Sequence, residues 1–189
     1  NTWSKEDPLE IIVVDWGSES NIKLDDFDIS IRPIIRILRF ESPKWILTWA
    51  FNEGLAKAKS KYTVKLDCDH FIEEGFLKAN QLIPLSFSAA NWRYASANQS
   101  HINGAFLACS ELLSQVGYFN ERIVTYGWDD SDLYKRLFGY AKKYQVLESN
   151  YISHIEQSEE SRTSNQVIKI KNVLSKALDN NVTKFMIRR

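Results

Sequence analysis

The first segment with a clear hydrophobic pattern is residues 9–15 (LEIIVVD), which is apolar at consecutive positions and rich in β-branched side chains. Such a run is typical of a strand that is covered on both faces, as in a parallel sheet between layers of helices. Gly17 and Ser18 interrupt the pattern, and residues 34–40 (IIRILRF) form a second strand candidate. The pattern therefore predicts a parallel sheet.

A helix is predicted after the second strand. Ser42 and Pro43 form a typical helix start, with a capping residue followed by Pro at the first helical position. Apolar residues then recur every three or four positions on one face of that helix, namely Leu47, Phe51, Leu55 and Ala58.

The rest of the chain alternates between extended and helical patterns. Extended segments are predicted at residues 62–67, 86–92, 104–109 and 146–154. Helices are predicted at residues 71–82, 111–116, 130–138 and, near the C-terminus, 164–180.

This alternation favours one α/β domain over residues 1–189, with a mostly parallel central sheet flanked by helices. The helix at residues 164–180 is expected to pack on that domain. A parallel strand as apolar as residues 9–15 is rarely the first of its sheet. We therefore expect the domain to be N-terminally truncated, without its first strand.

The overall charge argues against several classes of partner. The 24 basic and 24 acidic residues give a net charge of zero, whereas proteins that bind nucleic-acid phosphates usually have a basic excess. No apolar run approaches the ~20 residues that span a bilayer. We thus expect no nucleic acid partner, no integral membrane segment and a cytoplasmic location, with any membrane association through a partner or a missing segment.

The first candidate for chemistry is the motif at Asp67, Cys68 and Asp69, which follows the strand predicted at residues 62–67. In open α/β sheets, ligands bind beyond the carboxyl ends of the strands. Paired carboxylates at such an edge can hold a hard divalent cation, and the cation can in turn bind a diphosphate. A polar strand end without any ligand explains the motif equally well on its own.

A more specific candidate begins at Tyr126 and runs through Gly127, Trp128, Asp129 and Asp130 to Asp132. Acids favour helix N-termini because they cap the helix and complement its dipole, which is the structural explanation. One cap would be enough, however, and the adjacent rings could pack on the apolar face of a sugar. A carboxylate in that position could act as a general base toward a hydroxyl group.

The chain contains three histidines, and a lone histidine is more often structural than a metal ligand. This applies to His154, which follows an extended segment, and equally to His70 and His101. Although His70 adjoins the acids, its side chain is expected to point away from them.

Five ordered segments together resemble type-A-fold glycosyltransferases of family 2, with a C-terminal half similar to the β-1,4-galactosyltransferase group. EIIVVDWGSESN at residues 10–21 is similar to the family's VVDDGS strand and loop, and residues 49–71 resemble the helix and strand that lead into its D-x-D. INGAFLACSELLSQVGYFNE at residues 102–121 and YGWDDSDLYKRL at residues 126–137 resemble its later motifs, the second written W-G-x-E-D-x-D-L-x-x-R-L. Residues 153–165 are similar to its late histidine segment.

The resemblance implies a donor site and a metal site. Residues expected to bind the nucleotide sugar are Asp15, Asp67, Asn103 and Gly104. Asp69 and His154 would hold Mn²⁺, with Mg²⁺ as the second choice. Trp16 stands where the family has a second acid that often contacts uracil, so this chain departs from the family at the nucleotide-base pocket.

The resemblance also implies the acceptor side. Asp130 falls at the position of the catalytic base, and Asp129, in place of the usual Glu, would bind the acceptor hydroxyls beside Tyr126 and Trp128. The implied reaction is inverting, metal-dependent transfer of a sugar from a nucleotide diphosphate, such as a UDP-sugar, to a carbohydrate or other hydroxyl acceptor. Two alternatives stay open, namely a nucleotidyltransferase and a non-catalytic carbohydrate-binding or scaffold domain of the same fold.

Overall fold

The computed structural model describes residues 10–42, 44–91, 93, 95, 100–125 and 127–155. The helix predicted at residues 164–180 and the predicted acceptor residue Tyr126 lie outside these described residues. In the described part of the chain, no helix is both long and apolar enough to cross a membrane.

The two apolar segments form a parallel pair, as predicted. Strand β1 (Ile11–Trp16) lies beside β2 (Ile35–Phe40), in a register that aligns Ile11 with Ile35 and Trp16 with Phe40. Helix α1 (Leu47–Lys57) follows β2 and packs on β1. Both strands thus end at the same edge of the sheet, with the rings of Trp16 and Phe40 stacked 5.2 Å apart.

Four further strands form one sheet. Its order is β3 (Tyr62–Lys65), β6 (Phe106–Cys109), β5 (Ser86–Ala89) and β7 (Lys143–Val146). Because β6 lies antiparallel between β3 and β5, while β5 and β7 are parallel, the pairing is more mixed than the predicted, mostly parallel sheet. The α/β architecture itself is confirmed.

The helix predicted at residues 71–82 is wrong over most of its length. Strand β4 (His70–Ile72) occupies its start, and only the short helix α2 (Phe76–Ala79) follows. The reason is a distant partner, because β4 pairs antiparallel with β8 (Ile152–His154). Local periodicity cannot reveal a strand that exists only through such a pairing.

Two helices cover the four-stranded sheet. Helix α3 (Ser110–Val116) ends at Gly117, whose left-handed backbone terminates it as predicted. Helix α4 (Asp129–Tyr140) packs on α3, and Leu133 and Leu137 are fully buried in the core. This core fixes the orientation of α4, so the N-terminus of α4 has a defined place relative to the sheet.

Candidate active site

Residues distant in sequence meet beyond the end of β3. The D-x-D segment follows β3, Gly104 precedes β6, Asp129 and Asp130 begin α4, and His154 ends β8. Asp69 contacts His154, Lys65 contacts Asp67, and Gly104 lies against both Lys65 and Asp130. The structure therefore connects the residues predicted for the metal with the residue predicted as the base.

The metal side of the site combines carboxylates and imidazoles. Ligand atoms of Asp67, Asp69 and His70 all lie within 4.8 Å of one another. The Nε2 atom of His154 lies 3.0 Å from Oδ2 of Asp69, because the pairing of β4 with β8 brings the two segments together. The two carboxylates are the ligand type that suits Mn²⁺ and Mg²⁺. The donor set therefore fits the predicted ion.

The expectation that His70 points away from the acids is wrong. Its Nδ1 atom accepts a hydrogen bond from the backbone N–H of Asp67, at 3.1 Å. The centre of its ring lies 5.9 Å from that of His154, and the centre of the His101 ring lies 5.2 Å from that of His154. The other two histidines of the chain therefore converge on His154, which contacts Asp69, and sequence reasoning missed this cluster.

The first turn of α4 separates its three acids by role. Trp128 caps the helix with a left-handed backbone (φ 71°), directly after Gly127 (φ 94°). Asp132 forms a 2.6 Å ion pair with Arg136 and so has a structural partner. No arginine of the described residues pairs with Asp129 or Asp130, and the charges of Lys65 and Asp67 act on both.

Burial changes the acidity of the remaining two carboxyl groups. It is the main cause that raises the pKa of Asp129 to about 7, and the neighbouring charge of Asp130 adds to it. Burial also raises the pKa of Asp130, against the opposing effect of the Lys65 ammonium. The Oδ1 atom of Asp130 is buried without a hydrogen-bond partner among the described residues. A carboxyl group in this state is suited to accept a proton.

Gly104 lies directly against Asp130, with a left-handed backbone (φ 98°). A Cβ atom at this position would lie 3.0 Å from Oδ2 of Asp130 and 3.4 Å from Nζ of Lys65. A side chain at residue 104 would therefore displace one of these groups and strain the backbone. The adjacent Asn103 is exposed, whereas Gly104 is buried. Of these two residues predicted to bind the nucleotide sugar, Asn103 therefore lies at the surface of the site and Gly104 in its interior.

Asp15 lies apart from this cluster, at the end of β1. Its side chain is completely buried and forms a 2.8 Å ion pair with Arg39. It also accepts hydrogen bonds from the backbone N–H groups of Ser18 and Ile22. Burial alone would raise the pKa of this carboxyl, but hydrogen bonds from the Ser18 side chain, from Arg39 and from the two backbone N–H groups outweigh it and lower the pKa to about 2. A role of Asp15 in nucleotide binding stays a prediction, and the structure gives it protein partners instead.

The predicted acceptor residues are only partly described. Asp129 is buried and Trp128 is partly exposed at the start of α4, while Tyr126 is outside the described part of the chain.

Lys65 was absent from the predicted site. The detectable signal was a single basic residue within an otherwise apolar strand, since Lys65 is the only charged residue among positions 62–66.

Comparisons with known proteins bear on the fold of the chain. Residues 2–80 match the model of glycosyl transferase family 2. No curated protein sequence matches the chain. Among solved structures, the catalytic domain of Drosophila β1,4-galactosyltransferase 7 in complex with xylobiose is similar, with 13% identity, a TM-score of 0.57, and coverage of 96% of this chain and 80% of that one.

Two other structures are similar over smaller shares of their own length. GalNAc-T7 with UDP, GalNAc and Mn²⁺ gives a TM-score of 0.61 at 12% identity, covering 79% of this chain and 38% of that one. S. aureus TarS 1–349 gives 0.58 at 16% identity, covering 82% and 54%. The chain therefore has the type-A glycosyltransferase fold, and its N-terminal part, residues 2–80, matches glycosyl transferase family 2.

Proposed function

We propose that this protein is an inverting, metal-dependent glycosyltransferase that moves a sugar from a nucleotide-diphosphate donor, most simply a UDP-sugar, to a hydroxyl group of a carbohydrate acceptor. One observation carries the proposal. The Asp130 carboxylate, whose buried Oδ1 atom lacks a hydrogen-bond partner among the described residues, lies in the same site as the Asp67, Asp69 and His70 cluster, since the charges of Asp67 and His70 act on it. A base and a diphosphate-binding group are thus close enough to act on one substrate pair.

Asp130 is the proposed general base. Its carboxylate would accept the proton of the acceptor hydroxyl while that oxygen attacks the anomeric carbon from the face opposite the diphosphate. This geometry inverts the configuration at that carbon. Gly104 leaves the space over the carboxylate open, because a side chain there would fill it.

Asp69 and His154 are the proposed metal ligands, with Asp67 and His70 beside them. A bound Mn²⁺ or Mg²⁺ would offset the negative charge of the leaving diphosphate. The structures of similar fold support this choice, since a mutant of the Drosophila galactosyltransferase was solved with manganese, UDP-Gal and xylobiose. GalNAc-T7 was solved with UDP, GalNAc and Mn²⁺.

The acceptor is proposed to bind at the start of α4. The partly exposed Trp128, and Tyr126 beside it in sequence, provide aromatic rings for the apolar face of a sugar. Asp129 would bind acceptor hydroxyls. The pKa of Asp129, raised to about 7, means that this carboxyl also serves as a hydrogen-bond donor in its protonated form below that pH.

The donor site is proposed to include Asp67, Asn103 and Gly104, with Asp15 at the nucleotide end. The contacts of Asp15 also support a second candidate function, a non-catalytic scaffold. Asp15 is already satisfied by Arg39 and two backbone N–H groups, and Trp16 donates its own hydrogen bond to the carbonyl oxygen of Lys44. A domain that has lost nucleotide binding, but still binds glycans as a scaffold, would be consistent with those contacts.

A donor screen separates the two functions. Release of free nucleotide is measured with each of a panel of UDP-, GDP- and dTDP-sugars, with and without Mn²⁺, and with oligosaccharide acceptors. Transfer predicts acceptor-dependent release that requires the metal, and NMR of the product gives the anomeric configuration. Glycan binding without nucleotide release from any donor would support the scaffold.

A further inference from the structure

Lys65 is an unexpected residue for the core of this protein. It is the last residue of β3, only 5% exposed, and pairs in register with the fully buried Phe106 of β6. Removing an ammonium group from water costs several kcal/mol unless close partners offset the loss. A lysine at this position therefore needs a reason in its surroundings.

Those surroundings hold the ammonium group from two sides. The Nζ atom lies 4.0 Å from the centre of the Phe51 ring, in a cation–π contact with α1. On the other side it makes a 3.0 Å ion pair with Oδ1 of Asp67. The end of the side chain is thus fixed at a defined point between α1 and the D-x-D segment.

From this point the ammonium faces the base. Gly104 lies between the two groups. A Cβ atom at Gly104 would contact both Nζ of Lys65, at 3.4 Å, and Oδ2 of Asp130, at 3.0 Å. The charged groups that act on Lys65 are Asp67, Asp130 and Asp129, so one cation lies among three carboxyl groups. It is the basic side chain that links the metal-side acids with the acids of α4 in the described part of the site.

We infer that Lys65 is a positioning residue, which orients the Asp130 carboxylate over Gly104 for reaction with the acceptor. The inference rests on the proposed glycosyltransferase function. The attraction of the ammonium for the Oδ2 side of the carboxylate leaves Oδ1, the atom without a described partner, directed toward the incoming hydroxyl. Phe51 and Asp67 keep the ammonium itself in place.

A purely structural role would give different behaviour. If Lys65 served only to join β3 to α1 and the D-x-D segment, its replacement would lower stability, and the lost activity would follow the fraction of unfolded protein. If it acted mainly through Asp67, the affinity for the donor would fall. A positioning role instead lowers kcat in folded protein whose affinity for nucleotide and metal is retained.

The test uses Lys65→Met, which keeps the length but removes the charge, and Lys65→Arg, which keeps the charge. Lys61→Met is the matched control, because Lys61 is an exposed lysine just before β3 whose Nζ lies 5.3 Å over the Tyr62 ring. Each protein is assayed for kcat and KM with the donor found active in the screen, for binding of UDP with Mn²⁺ by calorimetry, and for thermal unfolding. If Lys65→Met does not fold, Lys65→Gln takes its place.

We expect Lys65→Met to lower kcat by about 10- to 100-fold, the range typical of residues that orient a functional group. Its affinity for UDP with Mn²⁺ should stay close to that of the wild type, and Lys65→Arg should recover part of kcat. The control should change neither quantity.

Three results would overturn the inference while leaving the proposed function intact. The first is a folded Lys65→Met variant with wild-type kcat, and the second is an equal loss of kcat in the Met and Arg variants at equal stability. The third is a parallel loss of donor affinity, which would mean that Lys65 acts through Asp67 on donor binding. Absence of transfer by the wild type with every donor would overturn the proposed function, and the role of Lys65 in transfer with it.

Discussion

Asp15 and Asp130 both have buried carboxylate oxygens near the ends of secondary structure elements, yet the surroundings of these oxygens are opposite. Asp15 has a full set of partners from Arg39 and two backbone N–H groups, and its pKa is lowered to about 2. Asp130 has a buried oxygen without a described partner, and burial raises its pKa. Burial is therefore common to both, and the supply of hydrogen-bond donors makes the difference.

The contrast distinguishes an acid that holds the fold from one that is prepared for a substrate. A buried polar atom without a partner costs stability, so it persists where a ligand supplies the missing contact. By this criterion the start of α4 is the reactive part of the protein and the end of β1 is its framework. Each of the following experiments tests one side of that distinction.

The largest effect is expected for Asp130→Asn. Loss of a general base commonly lowers the rate by about 10²- to 10⁴-fold, so transfer should nearly disappear while the protein still binds UDP with Mn²⁺. The measurement is kcat for transfer, with donor binding followed by calorimetry. Glu111→Gln, which changes an exposed acid in the first turn of α3, is the control and should leave transfer unchanged. Wild-type turnover by Asp130→Asn would remove Asp130 from the mechanism.

The next largest effect is expected for Asp69→Asn and His154→Ala. Each change should weaken binding of Mn²⁺ by about 100-fold or more, since even residues that only orient a metal ligand are worth about 10- to 100-fold. Calorimetric titration with Mn²⁺ is the measurement, and it does not require an active enzyme. Glu73→Gln, at an exposed acid after β4, serves as the control. Unchanged affinity in both variants would place the metal elsewhere.

Asp15→Asn tests the framework side of the comparison. It removes a charge-assisted pair from the buried end of β1, and we expect a loss of about 2 kcal/mol in the free energy of unfolding. Arg39 keeps its second partner, Glu41, which limits the loss. Asp25→Asn breaks the matching but exposed pair with Arg32 and should cost less than about 1 kcal/mol. Denaturant unfolding measures both, and a loss of UDP binding at unchanged stability would make Asp15 a nucleotide ligand.

The last prediction is that the contributions of Asp15 and Asp129 to stability depend on pH with opposite sign. The pKa of Asp15 is lowered in the folded state, so its contribution to stability is present above the ordinary value of 3.8 and is lost as the pH falls toward 2. The pKa of Asp129 is raised to about 7, so its contribution is present below 3.8 and is lost as the pH rises through 7.

Asp129→Asn isolates the second contribution. From pH 4 to pH 8 the melting temperature of the wild type should fall relative to that of Asp129→Asn, because the wild type loses this contribution as Asp129 ionises. Melting curves at several pH values give this difference directly. A constant offset between the two proteins across that range would contradict the raised pKa.

Most elements of the fold were predictable because their signals are local. The consecutive apolar residues of β1 and the glycine that ends α3 depend only on neighbours in sequence. The strand β4 was not predictable in this way, because Phe71 and its neighbours are extended only through their pairing with β8, some 80 residues later. The same cause misplaced His70, whose orientation depends on that strand.

The site was predictable to the extent that its residues occur in motifs. Asp69, His154 and Asp130 belong to segments whose resemblance to family 2 named them, and the structure brings them into one region. Lys65 belongs to no motif, and its importance appears only when Phe51 and Gly104 are seen on either side of its ammonium group. Electrostatic neighbours from three separate elements cannot be read from one segment.

Helix α1 has a further consequence through its contacts with residues 119–123. The Thr48 hydroxyl donates to the carbonyl oxygen of Ile123, the Trp49 indole donates to that of Glu121, and the Asn52 amide both donates to and accepts from the backbone of Phe119. These contacts join the segment that matches family 2 to the loop that leads into α4. A chimera that exchanges residues 2–80 between relatives must therefore carry a matching loop, or the recombined halves will separate the metal site from the base.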